Sequence, residues 1–124
     1  MEGEHKMIKK IGDNTYSLET VLQNKFGLHV NPIKKLAFIA KDYSCKVSVR
    51  NERDTDITNE EGKYILYGKE YVRVSIGTIL DMIGGLKAPK GDILEFIAEG
   101  DAEECNKCLY AIEEEVVNKK FGEE

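Results

Sequence analysis

The chain has 124 residues, of which 33% are charged and 41% are hydrophobic, so its composition is that of one globular domain with a modest core. Its net charge of −5 and the lack of a basic stripe with interleaved aromatic residues argue against nucleic acid as a partner. No apolar run approaches the length of a membrane span, and residues 1–4 do not resemble the start of a signal peptide. These features predict a cytoplasmic protein without a membrane partner.

Residues 1–15 form a polar N-terminal extension ahead of the domain, which we assign to residues 16–124. Residues 7–11, the turn-like residues 12–14 and residues 15–18 predict a hairpin that adds an extra strand. A disordered tail is an equally good interpretation of the extension. The strand that follows runs from Tyr16 to Leu22.

A turn at residues 26–32 brings His29 to the start of a helix that we expect to reach about Asp42. Pro32 is compatible with the first helical turn, where a backbone N–H has no intrahelical acceptor. His29 is therefore expected at or just before the N-cap, beside N–H groups that suit a phosphate. The alternative is a polar loop residue near a cap. Four apolar residues have helical spacing: Ile33, Leu36, Ala37 and Ala40.

The middle of the chain predicts strands and a loop. Residues 45–50 alternate between apolar and polar side chains, as in a half-buried strand. The acidic segment 51–62 lacks the central glycine and the last glutamate of a calcium loop, so we interpret it as a solvated loop. Residues 63–67 and 70–74 predict strands on either side of Gly68, which suggests a long hairpin.

The last third of the chain predicts a helix, a strand and a helix. Ser75 begins a helical pattern that ends at Gly84. The strand 92–99 follows, and Asp101 with Glu104 resembles a capping box at the start of the third helix. The element order is β-α-β-β-α-β-α, which predicts a two-layer α+β fold with the helices on one face of an antiparallel sheet.

Cys45, Cys105 and Cys108 are the three cysteines of the chain. A zinc site would need further ligands, and the chain has two histidines, His5 and His29. The C-x-x-C sequence at residues 105–108 lies inside a helical pattern, whereas a redox pair is expected at the mouth of a helix. We therefore predict three small buried side chains, with no metal and no cofactor.

The order of the elements and several local signatures resemble HPr, the histidine-containing phosphocarrier of the bacterial phosphoenolpyruvate-dependent sugar phosphotransferase system. The resemblance covers roughly residues 16–122, with an insertion at about 51–67 between strands 2 and 3. It implies an open-faced β-sandwich with sheet order 1-4-2-3 and three helices on one face. The family's signature Gly-Leu-His-Ala-Arg-Pro-Ala and its Ser-Ile pair correspond to Gly27-Leu28-His29-Val30-Asn31-Pro32-Ile33 and Ser75-Ile76.

The resemblance implies a phosphoryl carrier rather than a stand-alone enzyme. The family's histidine accepts a phosphoryl group on Nδ1 from enzyme I and passes it to enzyme IIA domains. His29 corresponds to this acceptor, and the backbone N–H groups of Val30 and Asn31 correspond to the phosphoryl cradle. The surface that would meet partners includes Val30 and Pro32, with Ser75, Ile76 and Leu80 on the second helix.

Asn31 stands where the family has arginine, so a charged guanidinium group with paired N–H donors is replaced by a neutral amide. Loss of such a contact costs on the order of 1.5–3 kcal/mol, which predicts a slow or specialised carrier. The nearby cations that could replace the arginine are Lys25, Lys34 and Lys35.

Ser75 has two interpretations: an ordinary helix N-cap, or the serine that a dedicated kinase phosphorylates in the Gram-positive branch of the family. The alternative to the carrier is a degenerate HPr-like regulatory protein without phosphotransfer, which acts through protein contacts around Ser75 or the 51–67 insertion. A third interpretation is an unrelated two-layer α+β domain that uses its long hairpin to bind a partner strand.

Overall fold

The structure, a computed structural model, describes residues 8–52, 63–75 and 88–122. The predicted second helix beyond Ser75, with Ile76 and Leu80, lies outside these residues, as does the central part of the insertion, residues 53–62. The strands are Ile8–Gly12 (β1), Thr15–Val21 (β2), Lys46–Asn51 (β3), Lys63–Leu66 (β4), Lys69–Arg73 (β5) and Ile93–Glu99 (β6). The helices are Val30–Lys41 (α1) and Ala102–Glu113 (α2), and α2 continues through a π-helical turn, Glu114–Asn118, and a 3-10 turn, Lys120–Gly122.

The strands form one antiparallel sheet of six strands in the order β1-β2-β6-β3-β5-β4. The predicted α+β fold with an antiparallel sheet is confirmed. The four inner strands β2, β6, β3 and β5 have the predicted order 1-4-2-3. The sheet extends beyond the order implied by the resemblance at both edges. There β1 pairs with β2, as the hairpin interpretation of the N-terminal extension predicts, and β4 pairs with β5 around Gly68.

The hydrophobic core lies between the helices and one face of the sheet. Leu18, Phe96, Val49 and Val72 are cross-strand neighbours in one row, and none is more than 2% exposed. The apolar stripes of both described helices join this cluster, which confirms their predicted buried faces. Among the described residues, no helix is both long and apolar enough to cross a membrane.

The opposite face of the sheet is crossed by the β4–β5 hairpin. Its loop residues Tyr67 and Gly68 have φ values of 56° and 80°, the left-handed pair that a two-residue hairpin loop of type I′ requires. The Tyr67 hydroxyl lies against Gly12 although β1 and β4 are opposite edges of the sheet. Lys69 Nζ lies 3.5 Å from Glu95 Oε1 on the central strand β6. The hairpin therefore covers part of the face that is open in the architecture implied by the resemblance, because its strands fold back over the sheet.

The two ends of α2 fix this helix against the domain. Asp101 is the N-cap, and its carboxylate accepts a hydrogen bond from the Glu104 N–H at 3.2 Å, which confirms the predicted cap. At the other end, Lys120 and Phe121 adopt left-handed φ values of 52° and 56°, and the Phe121 side chain returns to the core at 2% exposure. Lys35 Nζ on α1 donates a hydrogen bond to the Phe121 carbonyl at 2.7 Å.

Candidate functional site

His29 is the N-cap residue of α1, as its sequence position predicts. Its backbone is extended, with φ −146° and ψ −162°, and its carbonyl accepts the first helical hydrogen bond from the Ile33 N–H at 3.0 Å. The N–H groups of Val30 and Asn31 have no intrahelical acceptor at this point of an α-helix, and Pro32 has no N–H. His29 is thus a half-buried residue at the positive end of the helix dipole, directly before two backbone donors in the chain, and its side chain does not itself cap the helix.

The turn before His29 is built by Asn24 and Gly27. Asn24 is fully buried, and its Nδ2 donates to the Gly27 carbonyl at 2.6 Å, while the Gly27 N–H donates to the Asn24 carbonyl at 3.2 Å. Gly27 has φ +70°, and a Cβ there would meet the carbonyl of Ala88 and lie 2.8 Å from the Cα of Pro89. Sequence reasoning missed Asn24. Its signal is an asparagine three residues before a glycine at the end of a strand, since asparagine side chains commonly stabilise turns.

Phe26 contacts the imidazole of His29, and Lys25 contacts Phe26. The rings of Phe26 and His29 meet edge to face with centroids 6.4 Å apart. The Lys25 ammonium lies 5.5 Å from the centroid of the Phe26 ring. Lys25, one of the three lysines considered from the sequence, therefore contacts a neighbour of His29.

Asn31 is exposed and lines a surface cavity of about 400 Å³ together with Lys34, Lys35 and Phe121. Lys35 is held by the C-terminal turn, since its Nζ donates to the Phe121 carbonyl and lies 3.9 Å from Glu115 Oε2. Lys34 is exposed beside Asn31. The family arginine position thus shares a cavity with two lysines, of which Lys35 already has other partners.

Val30 and Pro32, the remaining predicted binding residues of the first helix, differ in their exposure to solvent. Val30 is 45% exposed, whereas Pro32 is buried. Val30, Lys34 and Phe38 are four residues apart along α1 and are all exposed, so they form one surface stripe.

Ser75 is half-buried and lines a second surface cavity, of about 350 Å³, with Lys41 and Arg73 among its other residues. This cavity shares no lining residue with the one beside Asn31. Within the described part of the chain, Ser75 and Asn31 therefore line separate cavities.

The prediction of three buried cysteines is wrong for Cys45. Cys105 and Cys108 are fully buried, but Cys45 is only half-buried and lines the cavity beside Ser75. The reason is that Cys45 precedes β3, so it lies at the rim of the sheet rather than inside the layer. In the described residues, no group of three or more histidine, cysteine or acidic side chains has the arrangement of a metal site.

In comparisons with known proteins, one family model and several solved structures match this chain. The model of the family described as "PTS HPr component phosphorylation site" matches residues 16–116. A search of curated proteins returned no relative. The crystal structure of HPr-C-His from Thermoanaerobacter tengcongensis is similar, with 22% identity, a TM-score of 0.61 and coverage of 87% of this chain and 97% of that chain. A histidine-containing phosphocarrier protein of Mycoplasma is similar at 16% identity and a TM-score of 0.57, with coverage of 85% and 96%. Since the family match spans well over half of the sequence, the chain belongs to the HPr family of phosphotransferase-system phosphocarriers.

Proposed function

We propose that the protein is a cytoplasmic phosphocarrier that accepts a phosphoryl group on His29 from enzyme I and passes it to enzyme IIA domains. The observation that carries the proposal is the position of His29 as the N-cap of α1, in a chain of the HPr family. A helix N-terminus stabilises an added phosphate through free N–H groups and the helix dipole. A histidine outside such a position would lack this support.

In the proposed transfer, the neutral imidazole Nδ1 attacks the phosphorus of the donor. The N–P bond forms as the bond from phosphorus to the donor breaks, and the reverse exchange delivers the group to the acceptor. The backbone N–H groups of Val30 and Asn31 hold the phosphoryl oxygens, since such transfers depend mainly on positioning and charge stabilisation. No arginine supports this charge at position 31. The cations nearest to the site are Lys25, beside the Phe26 ring, and Lys34, which lines the same cavity as Asn31.

Labelling with enzyme I and radioactive phosphoenolpyruvate tests the proposal. We expect an acid-labile, base-stable label on the wild-type protein and none on His29→Ala. The matched control is His5→Ala, since His5 is the other histidine of the chain. This variant should keep the label at the wild-type rate. Label that persists in His29→Ala, or an unlabelled wild-type protein with the enzyme I of the same organism, contradicts phosphotransfer through His29.

The second candidate function is a regulatory protein of the same fold without phosphotransfer. The neutral side chain of Asn31 at the family arginine position favours it. In that case a serine kinase is the relevant enzyme, and Ser75, beside a cavity that also contains Lys41 and Arg73, is its target. Incubation with such a kinase and labelled ATP should then give an acid-stable label that Ser75→Ala abolishes, whereas label on any other residue excludes this role.

A further inference from the structure

The chain before His29 is bonded to a short segment that precedes β6, residues 88–92. Leu22 directly follows β2, and its N–H donates to the Asp92 carbonyl at 2.9 Å. In the same place the Gly91 N–H donates to the Leu22 carbonyl at 2.9 Å. The start of the turn that leads to His29 is therefore fixed to the 88–92 segment by two backbone hydrogen bonds.

The end of the same turn is bonded to the first residue of this segment. The Leu28 N–H donates to the Ala88 carbonyl at 2.8 Å, and Leu28 directly precedes His29 in the chain. The Ala88 carbonyl also closely approaches Gly27, where it leaves no room for a Cβ. Since both ends of the turn are held in this way, the position of residues 88–92 determines where the N-cap of α1 lies.

A buried polar pair connects the 88–92 segment to the strand β3. Asn51 is the last residue of β3 and is 0% exposed, and Asp92 is 7% exposed. Asn51 Nδ2 donates a hydrogen bond to Asp92 Oδ2 at 2.8 Å. We call Asn51 and Asp92 the amide–carboxylate pair. Through this pair and the backbone hydrogen bonds, the end of β3 is connected to the turn before His29.

Asn51 occupies a position of β3 that would suit an apolar side chain. Val47 and Val49 precede it at two-residue spacing, so they share its face of the sheet, and both belong to the hydrophobic core. Burial of an amide and a carboxylate here carries a desolvation cost that an apolar side chain avoids. A hydrogen bond depends on distance and direction, whereas apolar contact tolerates many arrangements. The amide–carboxylate pair therefore favours one position of the 88–92 segment.

We propose that Asn51 and Asp92 are positioning residues for phosphoryl transfer, and that they act on His29 through the 88–92 segment. The acceptor nitrogen must lie in line with the donor phosphorus while the phosphoryl oxygens meet the backbone donors at the helix start. A misplacement of about 1 Å in such a group can cost about a hundredfold in rate. The proposal rests on the proposed function of His29, and it assigns a role in that reaction to two buried residues outside the site.

The test measures labelling by enzyme I and radioactive phosphoenolpyruvate at several concentrations of enzyme I. Asn51→Leu replaces the donor with an apolar side chain of similar size, and we expect its maximal labelling rate to fall about tenfold. The enzyme I concentration at half-maximal rate should stay within about twofold of the wild-type value, because the buried pair does not face a partner. Asp92→Asn still has an oxygen that accepts from Asn51, so it should keep about half of the wild-type rate or more.

Two further variants separate positioning from stability. Replacement of both partners by apolar groups of similar shape is often nearly neutral for stability. The double variant Asn51→Leu/Asp92→Leu should therefore unfold at a urea concentration close to that of wild type and still be labelled about tenfold more slowly. It also provides the test if Asn51→Leu alone does not fold. Asp101→Ala is the matched control, because it removes a carboxylate that accepts the Glu104 N–H at 3.2 Å, and it should lose stability but keep the wild-type labelling rate.

A second measurement does not depend on phosphoryl transfer. In NMR spectra of the unphosphorylated proteins, Asn51→Leu and the double variant should shift the resonances of the His29 ring and the Leu28 amide, and Asp101→Ala should leave both in place. Unshifted resonances in the first two variants would overturn the proposal, as would a wild-type labelling rate in them or equal slowing in Asp101→Ala. A wild-type protein that takes no label contradicts the proposed function of His29 instead, and the NMR shifts then decide whether the pair positions this residue.

Discussion

The ring of Phe26 meets the imidazole of His29 edge to face, with a centroid distance of 6.4 Å and an interplanar angle of 83°. Phe26 is 69% exposed, so burial in the core does not hold its ring at this position. The Lys25 ammonium lies 5.5 Å from the centroid of the same ring. Phe26 therefore links a cation to the candidate phosphoryl acceptor, and it restricts the orientation of the imidazole.

We expect Phe26→Ala to slow phosphoryl transfer to His29 by about two- to tenfold, because edge-to-face aromatic pairs contribute about 0.5–1.5 kcal/mol. Rapid-quench labelling at saturating enzyme I measures this rate. The control is Phe38→Ala, which removes another exposed aromatic residue with a lysine, Lys41, 5.3 Å from its ring centroid. Equal slowing in both variants would show that general partner contact, not the His29 ring contact, is responsible.

Asn31→Arg should accelerate the transfer, since it restores a cation with paired donors next to the phosphoryl cradle. The gain should be about one to two decades, because a charge-assisted hydrogen bond contributes about 1.5–3 kcal/mol. Asn31→Lys is the matched control, because it adds the same charge without the planar fork and should give a smaller gain. An unchanged rate in Asn31→Arg would indicate that neighbouring lysines already supply the charge.

The parts of the fold that depend on local pattern were predictable from sequence. The N-cap positions of His29 and Asp101 are set by residues within a single turn, and the buried faces of α1 and α2 by helical spacing. Features created by distant pairs were not predictable. Examples are the close approach of the Ala88 carbonyl to Gly27, which leaves no room for a Cβ, and the contact of Tyr67 with Gly12. The half-buried position of Cys45 at the rim of the sheet was missed for the same reason, since it depends on how β3 and α2 meet.

Gly27→Ala tests whether the turn before His29 requires glycine at position 27. The φ of +70° disfavours any side chain, and the added Cβ would meet the Ala88 carbonyl and Pro89. We expect a loss of about 2–4 kcal/mol in the free energy of unfolding, from left-handed strain and the steric conflict together. Urea denaturation measures it.

Gly68→Ala is the control for backbone strain alone. Gly68 has a similar φ of +80°, but a Cβ there would have no atom within 4 Å. It should cost about 1–2 kcal/mol, the penalty of the left-handed conformation. If the two variants are equally destabilised, the contact between the turn and Ala88 does not restrict residue 27.

The carboxyl groups of Glu52 and Glu19 lie close together at the end of the sheet. The hydrogen bond with Glu19 is the main cause that raises the pKa of Glu52 from 4.5 to about 7, followed by burial and the negative charges of Glu19 and Glu95. The folded protein therefore binds more protons than the unfolded chain between these two values. The stability that this site contributes is fully present below about pH 4.5 and is lost as the pH rises through about 7.

We accordingly expect Glu52→Gln and Glu19→Gln each to reduce the loss of stability between about pH 5 and about pH 8, and to unfold at higher urea concentration than wild type at about pH 8. The amide cannot ionise, so the repulsion between the two carboxylates is removed. Urea midpoints across this range provide the measurement. Asp13→Asn is the charge-matched control, because Asp13 is exposed in the β1–β2 turn. If it shifts the pH profile as much as the glutamate variants do, net charge rather than the contact between Glu52 and Glu19 governs the pH dependence.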